Sequence, residues 1–310
     1  MAVPRIIFMI VTGKLEQAFV PSQVVHDYPR AKSEFIEVEG TLLHFVIRGS
    51  GRPVVLIHGN PGSSQDWAKL YSPLASQFCA FAFDRPGHGR SDRPNRNGQV
   101  TVEAQAQLLN SALAQLRVER PILVGHSWGA ALALIYALSY PEDVSGLVLL
   151  APAAYVSDDG ISFLSKIPAW PVIGDLLNAL FTPWLASWLV RTDLAKAFAP
   201  DKVPERYLSH SLAAWTSPAK VKCYSIDDAQ LNASLLKFAP RYAELRMPLT
   251  IVTGDSDLIV PAQENALRLA DVLPQAKLHI VQKAGHQLPL VCPEVVVEAI
   301  GQVGKSCPAA

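Results

Sequence analysis

Cysteine is scarce and scattered: Cys79, Cys223, Cys292 and Cys307 are the four in 310 residues, with neither metal-ligand spacing nor close pairing. A chain this long does not need disulfide staples, so reduced, mostly structural thiols in a cytoplasmic setting are expected, and no metal or cofactor is indicated. Net charge is missing too. Lys plus Arg and Asp plus Glu each number 27, which argues against nucleic acid as a partner and leaves a small apolar molecule as the expected ligand. At the N-terminus the apolar run Ile6 to Val11, behind Arg5, falls far short of the roughly 20 residues that span a bilayer. It also lacks a small-residue cleavage site. Residues 1–33 read as a leader, disordered, packed or weakly associated with a membrane surface. Oligomeric state is left open.

What is present is core-forming material: half of the residues are hydrophobic, enough for one large domain or a domain with an insertion. Strand-like segments fall at Phe35 to Val38, Leu42 to Ile47, Val54 to Ile57, Ala80 to Phe83, Ile122 to Val124, Gly146 to Leu150, Leu249 to Val252 and Lys277 to Val281. The first two, joined at Glu39-Gly40-Thr41, form an antiparallel hairpin, and the later strand–helix alternation implies a mostly parallel sheet covered on both faces. Between Ala151 and about Pro240 the alternation stops. Trp170, Trp184, Trp188 and Trp215 lie there, with Pro168, Pro171, Pro183, Pro200, Pro204 and Pro218 punctuating short apolar helical pieces. Such an insertion would roof the carboxyl ends of the strands, where sheets of this kind bind ligands. It reads as a lid over 152–240, with Trp184 and Trp188 as candidate substrate contacts; equally, each tryptophan could fill a satellite core under the insertion.

Within Leu123 to Leu134, LVGHSWGAALAL, a Gly-x-Ser-x-Gly string separates a strand from a helix. A tight turn there holds Ser127 at its tip, at a helix N-terminus where free N–H groups favour developing negative charge. The plain alternative is a serine N-cap. A serine nucleophile needs a base, and among eight histidines His286 stands apart. It follows Lys283-Ala284-Gly285 in a loop beyond the last strand, whereas His44 and His279 lie within strands and His126 adjoins the serine in a sharp turn. An orienting carboxylate is expected from Asp255 or Asp257, in the loop after Leu249 to Val252; Asp158 and Asp159 are alternatives on another loop. The order serine, aspartate, histidine is the one nucleophile-elbow enzymes use. Oxyanion donors are expected from the N–H of Trp128 and from Asn60, in the loop that follows Val54 to Ile57.

Five segments, HGNPGSSQDW at 58–67, FDRPGHGRSDRP at 83–94, VGHSWGA at 124–130, GDSDLIVP at 254–261 and AGHQLP at 284–289, resemble in kind and order the motif series of the α/β-hydrolase superfamily. The resemblance spans about Phe35 to Ile300 outside the lid. It implies the α/β-hydrolase fold: an eight-stranded, mostly parallel sheet flanked by helices, its core at 34–151 and 241–310. It implies Ser127 as nucleophile, and the family's Gly-x-x-Asp spacing selects Asp257 as partner of His286, leaving Asp255 to cap its own turn. The HGN loop and GH-x-WG elbow are similar to those of haloalkane dehalogenases and epoxide hydrolases, which carry aspartate as nucleophile. Serine implies an acyl-enzyme instead, and carboxylic ester hydrolysis as the expected reaction. Carbon–carbon bond hydrolysis, cofactor-free perhydrolysis and a non-catalytic ligand-binding role are the alternatives.

Overall fold

The computed structural model describes residues 32–94, 100–156 and 173–308, the side chains at 173, 175–177, 181, 183 and 184 excepted. Its strands are β1 (Lys32–Val38), β2 (Thr41–Gly49), β3 (Arg52–Ile57), β4 (Phe78–Phe83), β5 (Ile122–His126), β6 (Gly146–Leu150), β7 (Leu249–Gly254) and β8 (Lys277–Val281). They form one eight-stranded sheet in the order β1-β2-β4-β3-β5-β6-β7-β8. β1 and β4 each pair antiparallel with β2; from β4 to β8 all pairings are parallel. Glu39 and Gly40 both have positive φ, 50° and 75°, the backbone a two-residue hairpin needs to match the twist of its strands.

The expected strands are all present, several extended by one to three residues. β1 starts at Lys32, so the edge strand claims the last two positions assigned to the leader; residues 1–31 lie outside those described. Every residue of β4, β5, β6 and β7 is buried, as strands covered on two faces require. Alternation still assigns each side chain to a layer. Val55, Ile57, Leu123, Leu147, Leu149 and Ile251 join the cluster formed with helices α2 (Val102–Gln115) and α3 (Trp128–Ser139). Val54, Leu56, Ile122, Val124, Val148 and Val252 face the other way, against α9 (Pro293–Ser306). Shorter helices are α1 (Tyr71–Leu74), α7 (Arg268–Val272) and α8 (Leu288–Val291).

Between β6 and β7 the chain leaves the sheet to form α4 (Ile173–Phe198), α5 (Glu205–Trp215) and α6 (Pro218–Phe238). Ser217 caps α6 by accepting from Lys220 N, and Pro218 occupies its first turn, where a missing N–H costs nothing. In place of short pieces broken at each proline, α4 runs 26 residues straight through Pro183. Proline marks a helix boundary by losing one hydrogen bond and crowding the preceding turn, and here the rest of a long helix outweighs that local cost. Leu194, Phe198, Trp215, Tyr224 and Leu290 bury one another beneath the insertion. Trp215 therefore fills a satellite core; Trp170, Asp158 and Asp159 lie outside the described residues. Among the described residues no helix is long and apolar enough to cross a membrane.

Candidate active site

β5 occupies the middle of the sheet and ends at His126; Ser127 follows with φ 54° and ψ −119°, and α3 begins at Trp128. A positive φ is unusual for a non-glycine residue and stores strain that the surroundings must hold in place. The two glycines of the string serve that end by close approach. A Cβ on Gly125 would run into the Gly129 carbonyl and lie 2.6 Å from Ala130 Cα, and one on Gly129 would run into the Ile57 carbonyl. The start of α3 can thus lie directly on the end of β3. The Ser127 hydroxyl makes no capping bond to its helix, so the plain N-cap reading does not describe it. Its backbone is committed instead: Ser127 N donates to Leu150 O at 2.9 Å, and Ser127 O accepts from Ala130 N and Ala153 N.

Asp257 and His286, from the loops after β7 and β8, are hydrogen-bonded at 2.8 Å between Oδ2 and Nδ1. Oδ1 of Asp257 accepts from Ile259 N and Val260 N, 2.8 and 2.9 Å. Burial raises the carboxyl, but the charge and hydrogen bond of His286, with the two backbone donors, outweigh it and hold Asp257 below the ordinary carboxylate range. An ionised Asp257 can only accept, so Nδ1–H of His286 donates to it and Nε2 is the nitrogen turned away from the carboxylate. The pair is set beside the elbow by His126, whose Nε2–H donates to the His286 carbonyl at 2.9 Å with the rings 4.8 Å apart. Burial, with the neighbouring His286, pulls His126 down to about 3, so it is neutral and structural. Asp255, exposed, does not cap its own turn through backbone donors there: its Oδ1 accepts from Lys283 N on the loop after β8 at 2.7 Å and from Ser256 Oγ at 2.9 Å, tying the two loops together.

The backbone of His286 is held by the insertion. His286 N and Gln287 N both donate to Ala197 O, in the last turn of α4, at 2.9 and 3.1 Å. Gly285 makes this approach possible, since a Cβ there would strike the Ala199 carbonyl and sit 3.0 Å from Ala197 O.

Asn60 and Trp128 flank Ser127. Gly59 brings the first loop so close that a Cβ on it would lie 3.2 Å from Ser127 Cβ. The Asn60 side chain, however, is aimed at the insertion: Nδ2 donates to Tyr224 O at 3.0 Å and to Asp228 Oδ1 at 2.6 Å. On α4, Trp188 is 60% exposed, and the side chain of Trp184 is outside those described.

Beside these residues lies a buried ionic cluster that sequence reasoning missed. Arg85, two residues past β4, donates from NH1 to Asp227 Oδ2 on α6 at 2.7 Å and to Gln105 Oε1 at 3.1 Å, and from NH2 to Gly59 O at 2.9 Å. Its guanidinium lies 3.8 Å from the centre of the Trp128 ring. Asp227 Oδ1 accepts from Arg93 NH1 at 2.6 Å, and Trp128 Nε1 donates to Asp227 O at 3.3 Å. Arg85 and Asp227 are 2% and 0% exposed. One cation thus touches both residues expected to supply oxyanion donors, and its counter-ion comes from the insertion. The one available signal was Arg85 itself, in the charged pair Asp84-Arg85 that follows an entirely apolar strand within one of the five motif segments. Its partner 142 residues on leaves no local trace.

The arrangement holds a strained serine at the start of α3, with a carboxylate-bound histidine docked beside it through His126. No group of three or more His, Cys, Asp or Glu able to hold a metal ion occurs among the described residues. The family model for the alpha/beta hydrolase fold matches residues 52–291. A cis-3-alkyl-4-alkyloxetan-2-one decarboxylase of Shewanella oneidensis is 36% identical over 272 residues, covering 83% of each chain. A 2-hydroxy-6-oxononadienedioate/2-hydroxy-6-oxononatrienedioate hydrolase of Comamonas testosteroni is 26% identical over 260 residues, covering 79% of this chain and 84% of the relative. Among solved structures, an alpha/beta hydrolase fold protein from Burkholderia ambifaria superposes with a TM-score of 0.75 at 28% identity, over 89% of this chain and 98% of its own. By its sheet order, its elbow and these likenesses, the chain belongs to the α/β-hydrolase superfamily.

Proposed function

We propose that this hydrolase cleaves small to medium apolar carboxylic esters through an acyl-enzyme on Ser127. The observation that carries the reading is the strained serine between β5 and α3, with φ 54° and with the Asp257–His286 pair docked against it through His126. In this scheme Ser127 Oγ attacks the ester carbonyl and its proton passes to Nε2 of His286, which then protonates the leaving alkoxide. A water molecule repeats the sequence to release the acid. The negative oxygen is met by the N–H groups of Trp128 and Asn60. The helices of the insertion, 152–240, act as a lid that limits the acyl and alcohol groups admitted, with Trp184 and Trp188 on its α4. Four free thiols, three of them buried, support a reducing, cytoplasmic setting.

An oxetan-2-one is itself a cyclic ester, so the name of the Shewanella relative supports ester chemistry. The Comamonas relative is named as a hydrolase of a different class and favours carbon–carbon bond cleavage as the second reading. A panel of p-nitrophenyl esters of graded chain length, beside a vinylogous diketone, an oxetan-2-one and a peroxide assay, separates them. Fastest turnover on an ester, abolished in Ser127→Ala, is the expected result; turnover of the diketone alone overturns it. Substituting Trp184 or Trp188 by alanine should change chain-length preference more than it changes hydrolysis of the smallest ester.

A further inference from the structure

A second serine, histidine and aspartate stand in one hydrogen-bonded line on the far side of the sheet's hairpin edge. Asp84, just past β4, is buried. Its Oδ1 accepts from Ser64 N at 2.6 Å, and its Oδ2 accepts from Arg90 N at 2.9 Å and from His44 Nδ1 at 2.7 Å. Burial pushes this carboxyl up, but the hydrogen bond from His44, the charge of His58 and the Ser64 and Arg90 donors outweigh it and leave it at about 2. An ionised Asp84 only accepts, so Nδ1–H of His44 donates to it. Ser33 Oγ on β1 lies 2.8 Å from His44 Nε2 on the other side of the ring, and Arg90 NH1 lies 3.5 Å from the same nitrogen. The same oxygen receives a hydrogen bond from Arg90 NH1 at 2.7 Å, while the Arg90 guanidinium is steadied 4.7 Å from the centre of the Phe35 ring. Ser33 itself is exposed. It has the oriented base that activates a serine, and a cation beside it where an oxyanion would form.

We propose that Ser33 is a second nucleophilic hydroxyl, open to solvent, that accepts acyl or phosphonyl groups from small activated esters and phosphonates. The Ser33 oxygen bonds to the carbonyl carbon or phosphorus, its proton moves to His44 Nε2, and the bond to the alkoxide or fluoride breaks. The leaving group then takes the proton from His44. One guanidinium replaces the pair of backbone donors of an oxyanion hole, so the reaction should run about 10²–10³-fold slower than at an elbow serine.

The test is fluorophosphonate labelling of Ser127→Ala followed by peptide mass spectrometry, which reads Ser33 independently of the role assigned to Ser127. Expected is a single adduct on Ser33, absent in Ser127→Ala/Ser33→Ala and at least tenfold slower in Ser127→Ala/His44→Gln. Because His44 is buried, Arg90→Gln in the same background provides a surface variant expected to fold and to slow labelling severalfold. Ser33→Ala alone should leave ester turnover at the wild-type rate. Labelling of Ser33 no faster than the exposed Ser76 and Ser306, or unchanged by His44→Gln and Arg90→Gln, overturns the proposal and leaves Ser33 as a hydrogen-bond donor that satisfies His44.

Discussion

Asp227→Asn should be costly out of proportion to its chemistry. The carboxylate accepts from Arg85 NH1 and Arg93 NH1 at 2.7 and 2.6 Å and from Gln105 Nε2 at 3.3 Å. An asparagine of the same shape keeps one acceptor and turns an amino group toward the other guanidinium. Arg93 is 19% exposed and can recover water, whereas Arg85 is 2% exposed and cannot. Breaking a buried pair by removing one partner costs about 3–5 kcal/mol. Over 310 residues, an unfolding entropy of about 2.1 cal/mol/K per residue amounts to roughly 0.65 kcal/mol/K, so Tm should fall by about 5–8 °C. Calorimetry beside Arg241→Gln supplies the contrast, because the Arg241–Glu244 pair is 43% and 56% exposed and should shift Tm by about 1 °C or less. Ester kcat should also drop by at least about tenfold with little change in KM, since Arg85 holds the Gly59 carbonyl and stacks on Trp128. Replacing Arg85 by Met and Asp227 by Leu together should restore much of the Tm without restoring kcat. A Tm for Asp227→Asn within about 2 °C of wild type would refute the argument, by showing that this pair is not shielded from water.

The other predictions concern the site and its supports. Asp257→Asn should lower kcat by roughly 10⁴ through the wrong imidazole tautomer, while Asp255→Asn should keep turnover and lose on the order of 1 kcal/mol of stability; steady-state kinetics and melting of both variants decide between the aspartates, and the reverse pattern would exchange their roles. Gly285→Ala forces the His286 loop away from the Ala199 carbonyl, and a displacement near 1 Å should reduce kcat about 10²-fold, whereas Gly301→Ala, with open space around it, should be silent. Asp66 is raised to about 7, by burial first, against the hydrogen bonds of Ser63 N and Tyr207 OH. Between about pH 4 and 7 the folded chain therefore holds a proton that the unfolded chain has lost, and stability falls as pH rises through that window. Asp66→Asn should accordingly gain in Tm relative to wild type from pH 4 to 7 and hold a constant difference above it; a Tm difference independent of pH would contradict this.

The sheet was legible because four to six consecutive apolar residues bounded by turn residues have few ways to be buried, and Val54 to Ile57 or Gly146 to Leu150 satisfy that locally. Ser127 and His286 could be found for a related reason. Each is placed where a strand has ended and glycine permits close approach, and the family's Gly-x-x-Asp spacing pointed to Asp257 as the partner of His286. Interfaces between distant segments were not legible. Asn60 reads as a loop donor until α6 is placed beside it and Asp228 takes its amide. Arg85 reads as a surface charge until Asp227 arrives from the insertion, and Ser33 as part of a leader until β1 pairs with β2 and sets it against His44. The proline punctuation of the insertion misled because helix stability is summed over many turns, while a proline acts on one.

Segments inserted between the strands of a parallel sheet are where related chains are usually free to differ, since loops tolerate exchange and the core does not depend on them. The two hydrogen bonds from His286 N and Gln287 N to Ala197 O remove that freedom at one point. A graft that replaced the insertion to retune specificity would have to return a carbonyl to the same place at the end of its first long helix, or the histidine would lose its anchorage along with the old substrate preference. With the insertion acting as the proposed lid, selectivity and competence would share a few atoms, so chimeras joined on the sheet side of Ala197 should lose turnover on every substrate, and those joined after Pro200 should keep it.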